Sequence, residues 1–230
     1  MNISEKIDCE ACGLKSKCLY RLLTPKQKEL LNTKKIILKK KKGDILYYQG
    51  DYASAFFMVR KGLLKHTRQI DIDYQVFGDF KKEGELTGLA SIKLKAVFPT
   101  SVSCFTDVWL CAFPNYVIIP FIQSNYQVAE FFFDLLERNL ELAAKKIIEL
   151  TGCSAFSRVG RMLLFLHERL PNNKNGFEIK REELADLAGI TRETLSRQLG
   201  LMKRGKLIST IGRYIKILQP ALLKERSKCK

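Results

Sequence analysis

Three cysteines crowd the start of the chain: Cys9, Cys12 and Cys18, spaced C-x2-C-x5-C. Two thiols separated by two residues can wrap one metal centre with a tight loop, and the five-residue step lets the chain reach a third corner. Thiolates are the usual ligands of iron–sulfur clusters, and four are normally needed. The fourth must come from elsewhere; the remaining cysteines are Cys104, Cys111, Cys153 and Cys229. Four thiolates also suit a structural zinc ion, and a thiol–disulfide switch is a further alternative. Cys153 and Cys229 show no partner pattern and read as spectators.

Other chemistry is poorly supported. The only histidines, His66 and His167, lie outside any Cys/His or Ser/His motif. There is no phosphate-binding loop and no pair of catalytic carboxylates, so no catalytic residue is expected and an enzyme is disfavoured. The formal net charge of +16 over 230 residues points instead to a polyanionic partner, most commonly nucleic acid. No 18-residue apolar run or apolar leader occurs, so the chain is expected to avoid membranes and stay in the cytoplasm, where thiols are kept reduced.

The sharpest local pattern lies at residues 181–204. Arg181 to Ile190 reads as a short helix with Leu184, Leu187 and Ala188 facing inward, broken by Gly189. Thr191 can cap a second helix running through Leu195, Leu199 and Met202. Two helices joined by a tight glycine turn form a helix-turn-helix. The second helix presents Arg192, Glu193, Ser196 and Arg197 opposite Leu195 and Leu199, where Arg can grip guanine and Glu can accept from a cytosine amino group. Lys203, Arg204 and Lys206 suit phosphates. Residues 207–217 read as two strands around Gly212, a wing. From 151 to 230 there are 17 Lys/Arg against seven Asp/Glu, so this part carries most of the excess charge.

These groups need elements to hold them. Thr24-Pro25 starts a short helix reaching about Leu31. From Lys34 to about Pro114, short β-branched and aromatic runs alternate with glycine turns, which predicts a barrel or roll. Within it, Cys111 shares a strand face with Trp109 and Phe113, away from Leu110 and Ala112. Residues 115–150 turn helical. Leu136, Leu140, Ala143, Ile147 and Leu150 recur at heptad-like steps, a candidate homodimer seam. Residues 155–170 form another amphipathic helix, and 171–176 an exposed turn. The expected organisation is an α+β chain with a cysteine-rich segment (1–23), a β-roll (24–124), a dimerisation helix (125–151) and a winged helix-turn-helix (152–230).

A roll, a long dimer helix and a winged helix containing Thr191-Arg192-Glu193-Thr194-Leu195-Ser196-Arg197 resemble the CRP/FNR superfamily of bacterial regulators, over about residues 19–220. The resemblance implies a β-roll of cyclic-nucleotide-binding type, a homodimer on double-stranded DNA and RNA polymerase as a further partner. It implies that Glu193 and Arg197 read an inner TGA in each half-site. Ser196 matches the FNR branch and Arg192 the CRP branch, which leaves the outer bases open.

The resemblance also bears on the sensor. CRP-type rolls bind cyclic AMP through a Gly-Glu pair followed by an Arg-Ser pair. Here Gly84-Glu85 is present, but Pro99-Thr100 replaces the second pair and no arginine occurs from 69 to 137. A buried cyclic phosphate would lack its charge partner. The FNR branch shares the N-terminal cysteine spacing and places its fourth cysteine on a late strand of the roll. Aligned through Ala112-Phe113-Pro114, that ligand falls at Cys111; Cys104, seven residues earlier and expected on the neighbouring strand, is the nearest rival or a buried side chain. The resemblance thus implies a [4Fe–4S] cluster on Cys9, Cys12, Cys18 and Cys111, lost to oxygen or nitric oxide. Because no charge interrupts the helical seam, the cluster-free chain is expected to remain substantially dimeric.

Overall fold

The computed structural model describes residues 8–71, 74–170 and 176–229. The expected turn at 171–175 and the first seven residues of the cysteine-rich segment lie outside them. The described part divides into two compact units, one ending at Glu137 and the other starting at Arg138. The division falls inside the long helix rather than at its end near 152.

In the first unit, short 3-10 helices at Lys15–Lys17 and Leu19–Leu22 lead into α1 (Pro25–Lys34), three residues longer than the sequence reading placed it. Its start is a capping box: Thr24 Oγ1 accepts from the Gln27 amide at 3.4 Å, while Gln27 Oε1 accepts from the Thr24 amide at 3.0 Å. Two backbone donors are thereby satisfied, a feature worth about 1 kcal/mol. The strands β1 (Ile36–Lys40), β2 (Ile45–Tyr47), β3 (Ala55–Lys61), β4 (Leu64–Asp71), β5 (Tyr74–Lys81), β6 (Leu86–Thr87), β7 (Ser101–Cys104) and β8 (Val108–Pro114) follow. They form two antiparallel sheets, ordered β1-β8-β3-β6 and β2-β7-β4-β5. Two helices close the unit, α2 (Asn115–Ser124) and the start of α3 (Tyr126–Gly152).

Alternation along β8 and β3 sorts two cores. Val108, Leu110 and Ala112, with Phe57 and Val59, face the space between the sheets, joined by Tyr47, Phe98, Val102 and Cys104. Tyr47 stacks on Phe98 with ring centroids 3.7 Å apart. Cys111 and Phe113, with Phe56 and Met58, face outward onto a second core built by Cys9, Cys18, Leu19, Tyr20, Leu31, Val117, Ile118 and Phe132. The period of two therefore aims Cys111 out of the roll and at the N-terminal segment, as its partnership with Phe113 implied. Trp109, the third residue of that face, stays partly exposed beneath Lys39, whose Nζ lies 4.2 Å from the ring centroid.

Cys104 stands on β7, the strand before β8, which belongs to the opposite sheet, between β2 and β4. Its side chain fills the roll interior, because the turn at 105–107 carries the chain from one sheet to the other rather than folding a hairpin.

The second unit holds the rest of α3, then α4 (Ala155–Arg169), β9 (Phe177–Glu178), α5 (Arg181–Ala188), α6 (Arg192–Arg204), β10 (Ile208–Ile211), β11 (Tyr214–Ile217) and α7 (Pro220–Arg226). Val159, Leu163 and Leu166 of α4 are buried with Leu184, Leu187 and Ala188 of α5 and Leu195, Leu199 and Met202 of α6. The wing has three strands, not two: β9 adds to the free edge of β11 through Phe177 and Glu178. Two residues are too few to show a period, so the sequence concealed it.

Candidate functional site

The N-terminal segment is a succession of tight turns. The Cys12 amide donates to Cys9 O at 3.3 Å, Lys15 to Cys12 O at 3.0 Å, and Cys18 to Lys15 O at 3.3 Å. Two side chains fasten it to the helices: Asn32 Oδ1 accepts from the Cys9 amide at 3.3 Å, and Asn125 Nδ2 donates to Leu22 O at 2.9 Å. Cys111 is held from both sides, in register with Ile37 on β1 and Met58 on β3.

These elements bring Cys9, Cys12, Cys18 and Cys111 to the walls of one pocket, completed by Leu14, Lys15, Tyr20, Met58, Arg60 and Phe113. Cys9, Cys18 and Cys111 are buried and Cys12 is half-buried. Cys104 is not part of it. Burial pushes the Cys18 thiol up to about 12 and the Cys111 thiol up to about 11, and raises Cys9 as well. Desolvation thus favours the protonated thiol at Cys9, Cys18 and Cys111.

Two cations that sequence reasoning overlooked already lean on this site. Lys35 Nζ lies 2.8 Å from Cys9 Sγ and donates to Asn32 Oδ1 at 2.7 Å. Arg60 lines the same pocket, and its positive charge counters part of the rise that burial imposes on the Cys111 thiol. Lys35 reaches the pocket from the end of α1 and Arg60 from β3, so no local sequence pattern could have joined them to the cysteines. Among the described residues, no group of three His, Cys, Asp or Glu side chains converges tightly enough to hold one metal ion.

The second unit presents a separate surface. Gly189 ends α5 with φ +64°, a left-handed conformation that glycine adopts without strain, and its amide bonds Asp186 O at 3.1 Å. The Thr191 side chain then caps α6 by accepting from the Thr194 amide at 3.2 Å. Leu195, Gln198, Leu199 and Met202 are buried, whereas Arg192, Glu193, Ser196, Arg197, Lys203, Arg204 and Lys206 are exposed on the other side. Arg192 Nη1 pairs with Glu182 Oε1 at 3.1 Å, tying this side chain to the preceding helix. Glu193 is held below the usual carboxylate range by backbone hydrogen bonding at the helix start, so it stays ionised. The wing turn is fixed by Arg181 Nη2, which donates to Gly212 O at 3.0 Å, and it thrusts Ile211 into solvent at 82% exposure.

Along α3, Leu136, Leu140, Ala143, Ile147 and Leu150 are all exposed. Leu140 is 72% and Ile147 63% exposed. Phe133, three residues before Leu136, is 69% exposed and prolongs the same heptad pattern. Leu150 also borders Gly189, where a Cβ would come within 3.0 Å of its Cδ2.

Cys153 and Cys229 are not the spectators they resembled: they are joined in a disulfide across a sequence separation of 76. Such separation is invisible to spacing rules. Among the described residues, no helix is long and apolar enough to cross a membrane.

Known proteins resemble both units. The Crp-like helix-turn-helix domain matches residues 157–226, and the cyclic nucleotide-binding domain matches residues 37–125. The transcriptional activator protein anr of Pseudomonas aeruginosa is 26% identical over 221 residues, covering 91% of this chain and 88% of that protein. The fumarate and nitrate reduction regulatory protein of Vibrio cholerae is 24% identical over 229 residues, covering 95% and 90%. Among solved structures, a crp/fnr family regulator from Eubacterium rectale superimposes with a TM-score of 0.80 at 21% identity, covering 91% of this chain and 97% of that one. FixK2 from Bradyrhizobium japonicum gives 0.69 at 19% identity, covering 84% and 98%. These structural likenesses establish the fold.

Proposed function

We propose that this chain, which belongs to the CRP/FNR superfamily and is a DNA-binding transcription regulator, responds to oxygen or redox state through a [4Fe–4S] cluster held by Cys9, Cys12, Cys18 and Cys111. The observation that carries this reading is the single pocket shared by those four side chains. The donor set fits: in a cubane each thiolate bonds a different iron, so the sulfurs need not converge on one point as they do around zinc. Lys35 and Arg60 offset part of the negative charge that four thiolates would bring into a buried site. When bound, the cluster supplies an oxygen-reactive, redox-active centre.

The chain's own residues do the rest. Asn32 and Asn125 dock the cysteine segment on α1 and on the turn before α3, so the segment's conformation bears on the helix that carries Phe133, Leu136 and Leu140. Pairing of that face between two copies forms the homodimer. Each copy then offers Glu193 and Arg197 to the TGA of one half-site, with Ser196 and Arg192 facing the outer bases and Lys203 and Arg204 on phosphates. RNA polymerase is the further partner in this reading, which a relative named as a transcriptional activator protein supports.

Anaerobic purification followed by iron and sulfide analysis tests the cofactor. About four iron and four sulfide per chain are expected, with a broad visible absorbance that bleaches in air. A colourless protein holding one zinc ion contradicts the cluster and leaves the DNA-binding function intact.

A further inference from the structure

The second unit carries thiol chemistry that the pocket on the roll does not use. Cys153 follows the last residue of α3, and Cys229 lies just beyond α7, yet their Cα atoms stand 4.8 Å apart, within the span a disulfide bridges. The approach is built by packing. Ser227 is buried against α4 at Gly160, where any Cβ would collide with Ser227 Oγ. Ser157 Oγ donates to Lys228 O at 3.2 Å, drawing the tail along the first turn of α4. Cys153 is buried, whereas Cys229 is exposed.

The surroundings of Cys229 are cationic. Arg161 Nη1 lies 3.1 Å from Cys229 Sγ, and its Nε is held 3.5 Å from Glu149 Oε1 at the end of α3. A guanidinium gains little from a neutral disulfide sulfur but much from a thiolate, so it favours the nucleophilic form of Cys229. An exposed thiol beside a fixed cation, with a buried resolving thiol within bonding reach, is the arrangement of a peroxide-reactive pair.

We propose that Cys153 and Cys229 are a redox-active dithiol in the DNA-binding unit, oxidised by hydrogen peroxide to the disulfide that pins the C-terminal tail to α4. In the first step the Cys229 thiolate attacks one peroxide oxygen. The O–O bond breaks, Cys229 becomes the sulfenic acid, and the departing hydroxide takes a proton to leave as water. In the second step the Cys153 sulfur attacks the Cys229 sulfur. The S–S bond forms, the S–O bond breaks, and the released hydroxide takes the Cys153 proton as a second water. Two thiols lose two electrons and one peroxide gains them. Reduction by a small dithiol reverses the state and frees the tail.

The test uses the full chain, reduced under anaerobic conditions and pulsed with hydrogen peroxide. Free thiols are trapped by alkylation and the digest is read by mass spectrometry. The peptide joining Cys153 to Cys229 should accumulate, and Cys153→Ser should leave a sulfenic acid on Cys229 that dimedone captures. Arg161→Gln should slow the joined peptide about tenfold, the factor of a one-unit change in thiol pKa. Arg161→Lys, which keeps the charge, should restore most of the rate. Free thiols at Cys153 and Cys229 after the pulse, or a rate in Arg161→Gln equal to that of the parent, would overturn the proposal.

Discussion

Cys18 and Cys111 line the same buried pocket although the whole roll separates them in the chain. Cys18 arrives on a turn of the N-terminal segment, and Cys111 on the outward face of β8. Cys111→Ser should therefore abolish iron loading, whereas Cys104→Ser should retain it, because Cys104 faces the interior of the roll. Iron content after anaerobic reconstitution distinguishes the two.

Lys35→Met and Arg60→Met should each lower the cluster's reduction midpoint, because nearby positive charge favours the more negative, reduced state. Potentiometric titration followed by electron paramagnetic resonance measures this. An unchanged midpoint in both variants would mean that these cations serve only the protein's own packing.

Much of this site was legible in the residues. The C-x2-C-x5-C run marked the N-terminal segment as a candidate thiolate site, and a period of two along Val108–Pro114 put Cys111 and Phe113 on a common face. The helix-turn-helix was equally open, because Gly189, Thr191 and the apolar positions of two helices are all local signals. What escaped depends on long-range closure. Lys35 and Arg60 meet the cysteines only after the roll forms, and Cys153 meets Cys229 only once α7 packs on α4. That the turn after Cys104 crosses between sheets, leaving it inside the roll, is likewise hidden from spacing.

Stability should fall on mild acidification through His66. Its Nε2 lies 3.0 Å from Thr87 Oγ1 and its Nδ1 3.3 Å from Thr100 Oγ1, and burial pulls its pKa down to about 4 despite Asp79 nearby. The native state thus prefers the neutral ring. The stabilisation is complete above the unfolded value of about 6.5 and is lost as pH falls from there towards 4, to the extent of roughly 3 kcal/mol. Denaturant titrations from pH 7 to 4 should show this slope, and His66→Gln should flatten it.

On DNA, Arg197→Ala should cost about 1–3 kcal/mol on an operator and little on random sequence. Lys203→Ala should weaken both alike and reduce the salt dependence. Equal losses on operator and random DNA for Arg197→Ala would refute its role in reading bases.

The unbroken apolar face of α3 bears on how signalling works. With Phe133, Leu136, Leu140 and Ile147 all exposed and no charge among them, the cluster-free chain should sediment mainly as a dimer at micromolar concentration, and Leu140→Glu as a monomer. Sedimentation velocity settles the matter; a parent chain that runs as a clean monomer would place the oxygen response in association itself.

The most direct test of the central claim is operator binding by the anaerobically reconstituted protein, followed by fluorescence anisotropy while air is admitted and the visible spectrum is recorded. Affinity should fall in step with the bleaching, and Cys111→Ser should bind weakly throughout. Unchanged affinity after complete bleaching would contradict an oxygen sensor built on these four cysteines.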